Sequence, residues 1–124
     1  RVLKNDGVGI RWFDHQSFTV HYLYEMERGK RLMIAPAVLG PGERWQRQMT
    51  RREPRIFNTV AEQLAAGVKT MPGTEQGLSH VQMPMIAGDR VLGDISLESH
   101  DSERRFGDSD VRLMQTVASS MAVA

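Results

Sequence analysis

The sequence predicts an α+β domain built on an antiparallel sheet. Three observations carry this: paired β-rich runs joined by short turns lie towards both ends of the chain, one long segment of helical periodicity closes it, and only short helical stretches fall between. Adjacent hairpins favour an antiparallel sheet with helices packed mainly on one face and loops closing the other.

In chain order, Asp6 to Asp14 and Ser17 to Glu27 carry aromatic and β-branched residues around the break His15-Gln16, the pattern of a hairpin. Phe18, Val20, Tyr22 and Tyr24 are expected to share one face of the second strand. Gly29-Lys30-Arg31 reads as a turn, and Pro36 through Gly42, with two prolines and two glycines, as a connecting loop. From Glu43 to Arg52 a short amphipathic helix sets Trp45 and Met49 on one face and Arg44, Arg47 and Arg51 on another, and Pro54 ends it. Arg55 to Asn58 is a brief strand. Thr59 with Glu62 three residues on has capping-box spacing and opens a helix that ends near Gly67. Lys69 to Gly77 is a loop. Two apolar runs then flank Ala87-Gly88-Asp89-Arg90, whose glycine can take the positive φ of a tight reversal. On the last strand Val91, Gly93, Ile95 and Leu97 form one face, Gly93 letting the final helix approach, and Leu92, Asp94 and Ser96 form the other.

Ser99 to Arg105 is a polar connection. In the final helix Val111, Met114, Val117, Ala118, Met121 and Ala122 follow the spacing of one buried face. Phe106 can staple against Val111 if Gly107 is the N-cap, and Asp108 and Asp110 favour the positive end of the helix dipole. Leu113 and Val117 widen the stripe beyond one sheet contact, which suggests a second surface such as a dimer partner.

A length of 124 residues allows one domain with a modest core. The net charge of +1, with 25% charged residues, is not that of a chain built to wrap nucleic acid. The absence of cysteine excludes a disulfide framework, thiolate metal sites and thiol nucleophiles. No apolar run approaches the roughly 20 residues of a membrane helix, so no membrane insertion is expected. The chain opens at Arg1 without a Met and stops at Ala124 inside an apolar helical pattern, as a piece cut from a longer protein would.

The order of residues in Pro72-Gly73-Thr74 and from Leu78 through Gly88-Asp89-Arg90-Val91-Leu92-Gly93 to Glu98 closely resembles the GAF domain, a ligand-sensing module of signalling proteins. The acidic turn and helix of that family are matched by Phe106-Gly107-Asp108-Ser109-Asp110-Val111 running on to Ala124. The resemblance implies a GAF/PAS-like (profilin-like) sheet of order 2-1-5-4-3. Terminal helices would cover one face, and middle segments would fold over the other to enclose a pocket. It further implies that residues 1–124 are a single such domain lacking its N-terminal helix and cut within its C-terminal one. The module would be bacterial and cytoplasmic, would bind an unidentified small molecule, dimerise through terminal helices and be linked to an output domain, a histidine kinase or nucleotide cyclase. The alternative is a structural dimerisation module without a physiological ligand.

Catalytic constellations are not readable. His15, His21, His80 and His100 show no pair at metal-ligand spacing, and the closely spaced glycines lack the remainder of a phosphate loop. Ser79 and His80 are strand neighbours on opposite faces and cannot act as nucleophile and base. The activities of GAF-like methionine sulfoxide reductases and of bilin-carrying GAF domains need cysteine, so the chain reads as no enzyme. Of the cyclic-nucleotide motif of the family only Phe106 and Asp110 are present, and Leu97-Glu98-Ser99-His100 supplies no Asn-Lys.

The ligand-facing residues are expected to be Asp94 and Ser96, with Trp45, Asn58, Ser79 and Met83 as companions. Asp94 stands where similar GAF domains usually carry an apolar residue, and a buried carboxylate there needs a partner or water. The arginines 44, 47 and 51 fit either a grip on a phosphate-bearing ligand or a solvated helix face. No cofactor is identified.

Overall fold

Alternating runs of β-branched and aromatic residues form an antiparallel sheet in a computed structural model, which describes residues 6–68 and 76–123. The elements are β1 (Gly7–Asp14), β2 (Thr19–Glu27), β3 (Lys30–Arg31), β4 (Ala37–Val38), α1 (Glu43–Met49), β5 (Arg55–Phe57), α2 (Val60–Ala65), β6 (Ser79–Ala87), β7 (Arg90–Ser99) and α3 (Asp108–Val123). The sheet order is β3-β2-β1-β7-β6-β5, with β4 also pairing with β2. Counted without the two-residue strands β3 and β4, this is the expected order 2-1-5-4-3. Most of the Lys69 to Gly77 loop, with Pro72-Gly73-Thr74, lies outside the described residues. No helix among the described residues is long and apolar enough to cross a membrane.

Two apolar layers sandwich the sheet. On one side α3 lays Met114 and Ala118 against Val81, Met83 and Met85 of β6 and Ile95 of β7, with Phe106 beside them and Val111, Met121 and Ala122 at the margin. The start of α3 is held as its sequence predicts: Gly107 N–H donates to Asp110 Oδ2 at 2.9 Å, and the Gly107 carbonyl accepts from the Asp110 and Val111 amides. Leu113 and Val117, at 64% and 41% exposure, point away from this core. On the other side Trp45 of α1 packs with Phe13, Val20 and Val91. Burying side chains of this size contributes roughly 1.5–3 kcal/mol each. Thr59 caps α2, its Oγ1 accepting from Glu62 N–H at 3.1 Å, while the Glu62 carboxylate accepts from Asn58 N–H at 2.7 Å.

Two bulges change which residues face which layer. In β2, Ile10 stands opposite Tyr24 and Arg11 opposite Tyr22, so Leu23 is the extra residue. The phase of side chains reverses there: Val20 and Tyr22 lie on the side of α1, and so do Glu25 and Glu27, while Tyr24 does not join them as strict alternation expected. In β7, Met85 stands opposite Gly93 and Ile86 opposite Val91, so Leu92 is the extra residue. Val91 consequently packs with Trp45, not with Ile95. Gly93 serves a different approach from the one expected. A Cβ there would sit 2.1 Å from the carbonyl oxygen of Arg11, so the glycine admits the backbone of β1, not the last helix.

Two local expectations are also corrected. The segment Pro36 to Gly42 is not wholly loop, since Ala37–Val38 pairs with Thr19 and Val20 in a strand short enough to fit between the prolines. Helix α1 ends at Met49, before Arg52, whose guanidinium instead donates to the carbonyls of Asp89 and Gly88.

Candidate functional site

The sheet face opposite α3 is the floor of a cavity of about 800 Å³, with α1 and α2 contributing to its walls. Cross-strand register sets its chemistry. Arg55, Gln82, Ser96, Gly9 and Glu25 are successive partners across β5, β6, β7, β1 and β2, so one row runs from a guanidinium to a carboxylate. Four strand intervals separate its ends, about 19 Å along the sheet. The glycine keeps the middle of the row open, because a Cβ on Gly9 would lie 2.7 Å from Glu25 Oε2 and 2.8 Å from Ser96 Oγ.

The adjoining row holds Arg11 opposite Asp94. Arg11 Nε donates to Asp94 Oδ1 at 2.8 Å and its Nη2 to Oδ2, a bidentate grip. Gln82 Nε2 donates to Oδ2 at 2.7 Å, and Arg11 Nη2 reaches Gln48 Oε1 at 3.3 Å. Asp94 is only 6% exposed. Burial alone would lower the Arg11 pKa, but Asp94 outweighs it and raises it. The pair therefore behaves as one neutral unit at the centre of the floor.

Beyond it the cavity is polarised. At one end Arg44, Arg47 and Arg51 reach in from α1 and the residues after it, and Arg55 from β5. Arg47 pairs with Glu43 at 3.3 Å, but among the described residues neither Arg51 nor Arg55 has a carboxylate partner. The Arg51 pKa is lowered by burial and then by Arg55 and Arg11, and that of Arg55 by burial and then by Arg11, with Asp94 opposing the effect of Arg11 on both. At the other end stand Glu25, Glu27 and Glu98. Burial pushes Glu25 and Glu98 up to about 7, and neighbouring carboxylates add to it. His80, also on the cavity wall, is pushed down to about 4, chiefly by burial.

Of the residues expected at the site, the structure brings Ser96 to the cavity wall and Asp94 beneath it, occupied by Arg11. The others lie elsewhere. Trp45 is in the second core, with Phe13, His15 and Phe18 packed edge-on against its ring. Met83 is 0% exposed under α3, because on β6 the odd-numbered positions face that helix. Ser79 shares that phase, its Oγ donating to the Ser102 carbonyl at 3.0 Å. Asn58 precedes the cap of α2 and uses its backbone, accepting from Arg104 N–H at 2.8 Å. The arginine stripe, open to two interpretations in the sequence, does line the cavity. Arg11, Gln82, Arg55, Glu25 and Glu98 were missed, although the even-numbered partners of Ser96 on β6 were a readable signal for Gln82.

A family model described as GAF domain matches residues 3–124. The chain belongs to the GAF domain family. Solved structures agree with this fold. The GAF domain of an Acinetobacter phosphoenolpyruvate-protein phosphotransferase superposes with a TM-score of 0.74 at 14% identity, covering 98% of this chain and 71% of that one. The second GAF domain of DevS from Mycobacterium smegmatis gives 0.65 at 15% identity, over 98% and 80% of the two chains. A type II free methionine-R-sulfoxide reductase from Thermoplasma acidophilum gives 0.68 at 18% identity, over 97% and 78%. No curated protein matches the chain by sequence. GAF domains are ligand-binding sensory modules of signalling proteins, and the polarised cavity occupies the face that the family resemblance assigned to a pocket.

Proposed function

We propose that this GAF domain senses an anionic small molecule whose acid group docks at the arginine end of the cavity. One observation carries the reading: Arg51 and Arg55 are half-buried, Arg51 is repelled by Arg55, and neither has a carboxylate partner among the described residues. A carboxylate or phosphate between them would relieve that repulsion and accept paired N–H donors. Gln82 and Ser96, next along the row, would bond a polar group further into the ligand. Occupancy would bias the terminal helices and, through them, a covalently attached output domain of the histidine kinase or nucleotide cyclase type. That coupling requires unequal affinity for two states of the module. The module performs no catalysis of its own in this reading and works in the cytoplasm.

Thermal-shift screening against mono- and dicarboxylates, phosphate esters, nucleotides and neutral isosteres tests it. A ligand at 100 times its Kd stabilises by about 2.7 kcal/mol, so anions should raise Tm by several degrees and neutral isosteres should not. A panel in which neutral compounds shift Tm equally would reject the anion specificity.

A structural dimerisation module is the second reading, favoured by the exposed Leu113 and Val117 on α3. Sedimentation of the wild type beside a Leu113→Glu, Val117→Glu variant distinguishes it, since a homodimer through this helix would dissociate in the variant.

A further inference from the structure

The acid end of the cavity contains a side-chain arrangement that sensing of an anion does not use. Glu98 and His100 are two apart at the end of β7, and Glu27 closes β2. Strand β1 runs between β2 and β7, and Gly7 is what lets side chains from the two meet across it. A Cβ on Gly7 would lie 3.0 Å from His100 Cε1 and 3.4 Å from Glu98 Cβ. A Cβ on Gly77 would lie 2.9 Å from Glu98 Oε2. Two glycines thus leave a cradle around the imidazole and the carboxylate.

The His100 side chain is 1% exposed, and its Nε2 stands 3.9 Å from Glu27 Oε2 and 4.0 Å from Glu98 Oε1. Those separations are too long for hydrogen bonds. Neither ring nitrogen of His100 has a hydrogen-bond partner among the described residues. Buried polar atoms are almost always satisfied, so an imidazole nitrogen aimed between two carboxylates without bonding either needs a third participant. The ligand atoms of all three side chains lie within 4.8 Å of one another. Ligands held at 2.0–2.2 Å from a tetrahedral cation stand about 3.4 Å apart, so a small inward rotation of the carboxylates closes the set.

We propose that Glu27, Glu98 and His100 form a binding site for a divalent transition cation. The imidazole selects against Mg²⁺ and Ca²⁺, which take oxygen ligands, and the lack of thiolates selects against soft ions, leaving borderline divalent ions of the Zn²⁺, Co²⁺ and Ni²⁺ kind. Both carboxylates line the cavity, which supplies the entry path. The site does not depend on the arginine end.

Untagged protein, stripped with a chelator and exchanged into chelator-free buffer, would be titrated calorimetrically with Zn²⁺. Co²⁺ binding would be followed by its visible absorption. One strong equivalent is expected for Zn²⁺, with intense low-symmetry Co²⁺ bands and no heat from Mg²⁺. Glu98→Gln, nearly isosteric, should weaken Zn²⁺ at least 100-fold with an unchanged circular dichroism spectrum, whereas His21→Gln, away from the cluster, should leave it intact. Absence of a strong equivalent in the wild type, or equal affinity in Glu98→Gln, would overturn the site. So would a ¹⁵N spectrum showing His100 as a doubly protonated imidazolium in the presence of Zn²⁺.

Discussion

Arg11 and Asp94 stand directly opposite one another on β1 and β7, and the two donors that Arg11 aims at both carboxylate oxygens make them a neutral unit in the cavity floor. The carboxylate that the sequence singled out as a ligand contact is therefore already occupied. Its role is to hold Arg11 and Gln82 in place.

Asp94→Ala should consequently act on folding before it acts on binding. Removing one member of a buried pair leaves the other charge uncompensated and costs about 3 kcal/mol or more. Urea unfolding would show this as a lower midpoint. The double variant Arg11→Met, Asp94→Leu should recover most of the loss, because no charge is then stranded.

Gly93→Ala should be among the most damaging glycine substitutions. Its Cβ would meet the Arg11 carbonyl at 2.1 Å, a backbone atom that cannot rotate away. Overpacking of this kind costs about 1–3 kcal/mol, and the upper end is expected. Gly107→Ala, with nothing within 4 Å of the added carbon, should cost less, about 1 kcal/mol or below, through the poorer N-cap that alanine makes for α3. Equal melting temperatures for the two variants would contradict the close β1–β7 approach.

His80 should contribute sensitivity to acid. Burial depresses its pKa from 6.5 to about 4, so between those values the unfolded chain binds the proton and the folded one does not. Its contribution to stability is complete above pH 6.5 and is lost as the pH falls towards 4. Glu25 and Glu98, raised to about 7, act in the opposite sense over the same range. His80→Gln should therefore be more stable at pH 5 relative to pH 7 than wild type is, as denaturant midpoints at the two pH values would show.

The fold was legible because its signals are local. The periodic stripe of Met114 and Ala118, the Thr59–Glu62 cap and the glycine turn at Gly88 each follow from a few neighbouring residues. The site was not, because it depends on register. The extra residues Leu23 and Leu92 reverse the side-chain phase within their strands, which brings Glu25 and Glu27 into the cavity and turns Val91 towards Trp45. No propensity marks either bulge. Trp45, Met83 and Ser79 look equally plausible as ligand contacts in sequence, and only tertiary packing consigns them to the cores or to loop anchoring. Arg55 and Arg51 are four apart in sequence across a proline, and their shared cavity wall comes from the return of the chain into β5.

Calorimetric titration of the best anionic compound from the screen into wild type, Arg51→Gln and Arg55→Gln is the most direct test of the central claim. Loss of a charge-assisted, bidentate contact is worth about 1.5–3 kcal/mol. The account predicts at least a tenfold weaker Kd for each variant, with unfolding midpoints near that of wild type. An unchanged Kd in both variants would contradict an anion site at the arginine end.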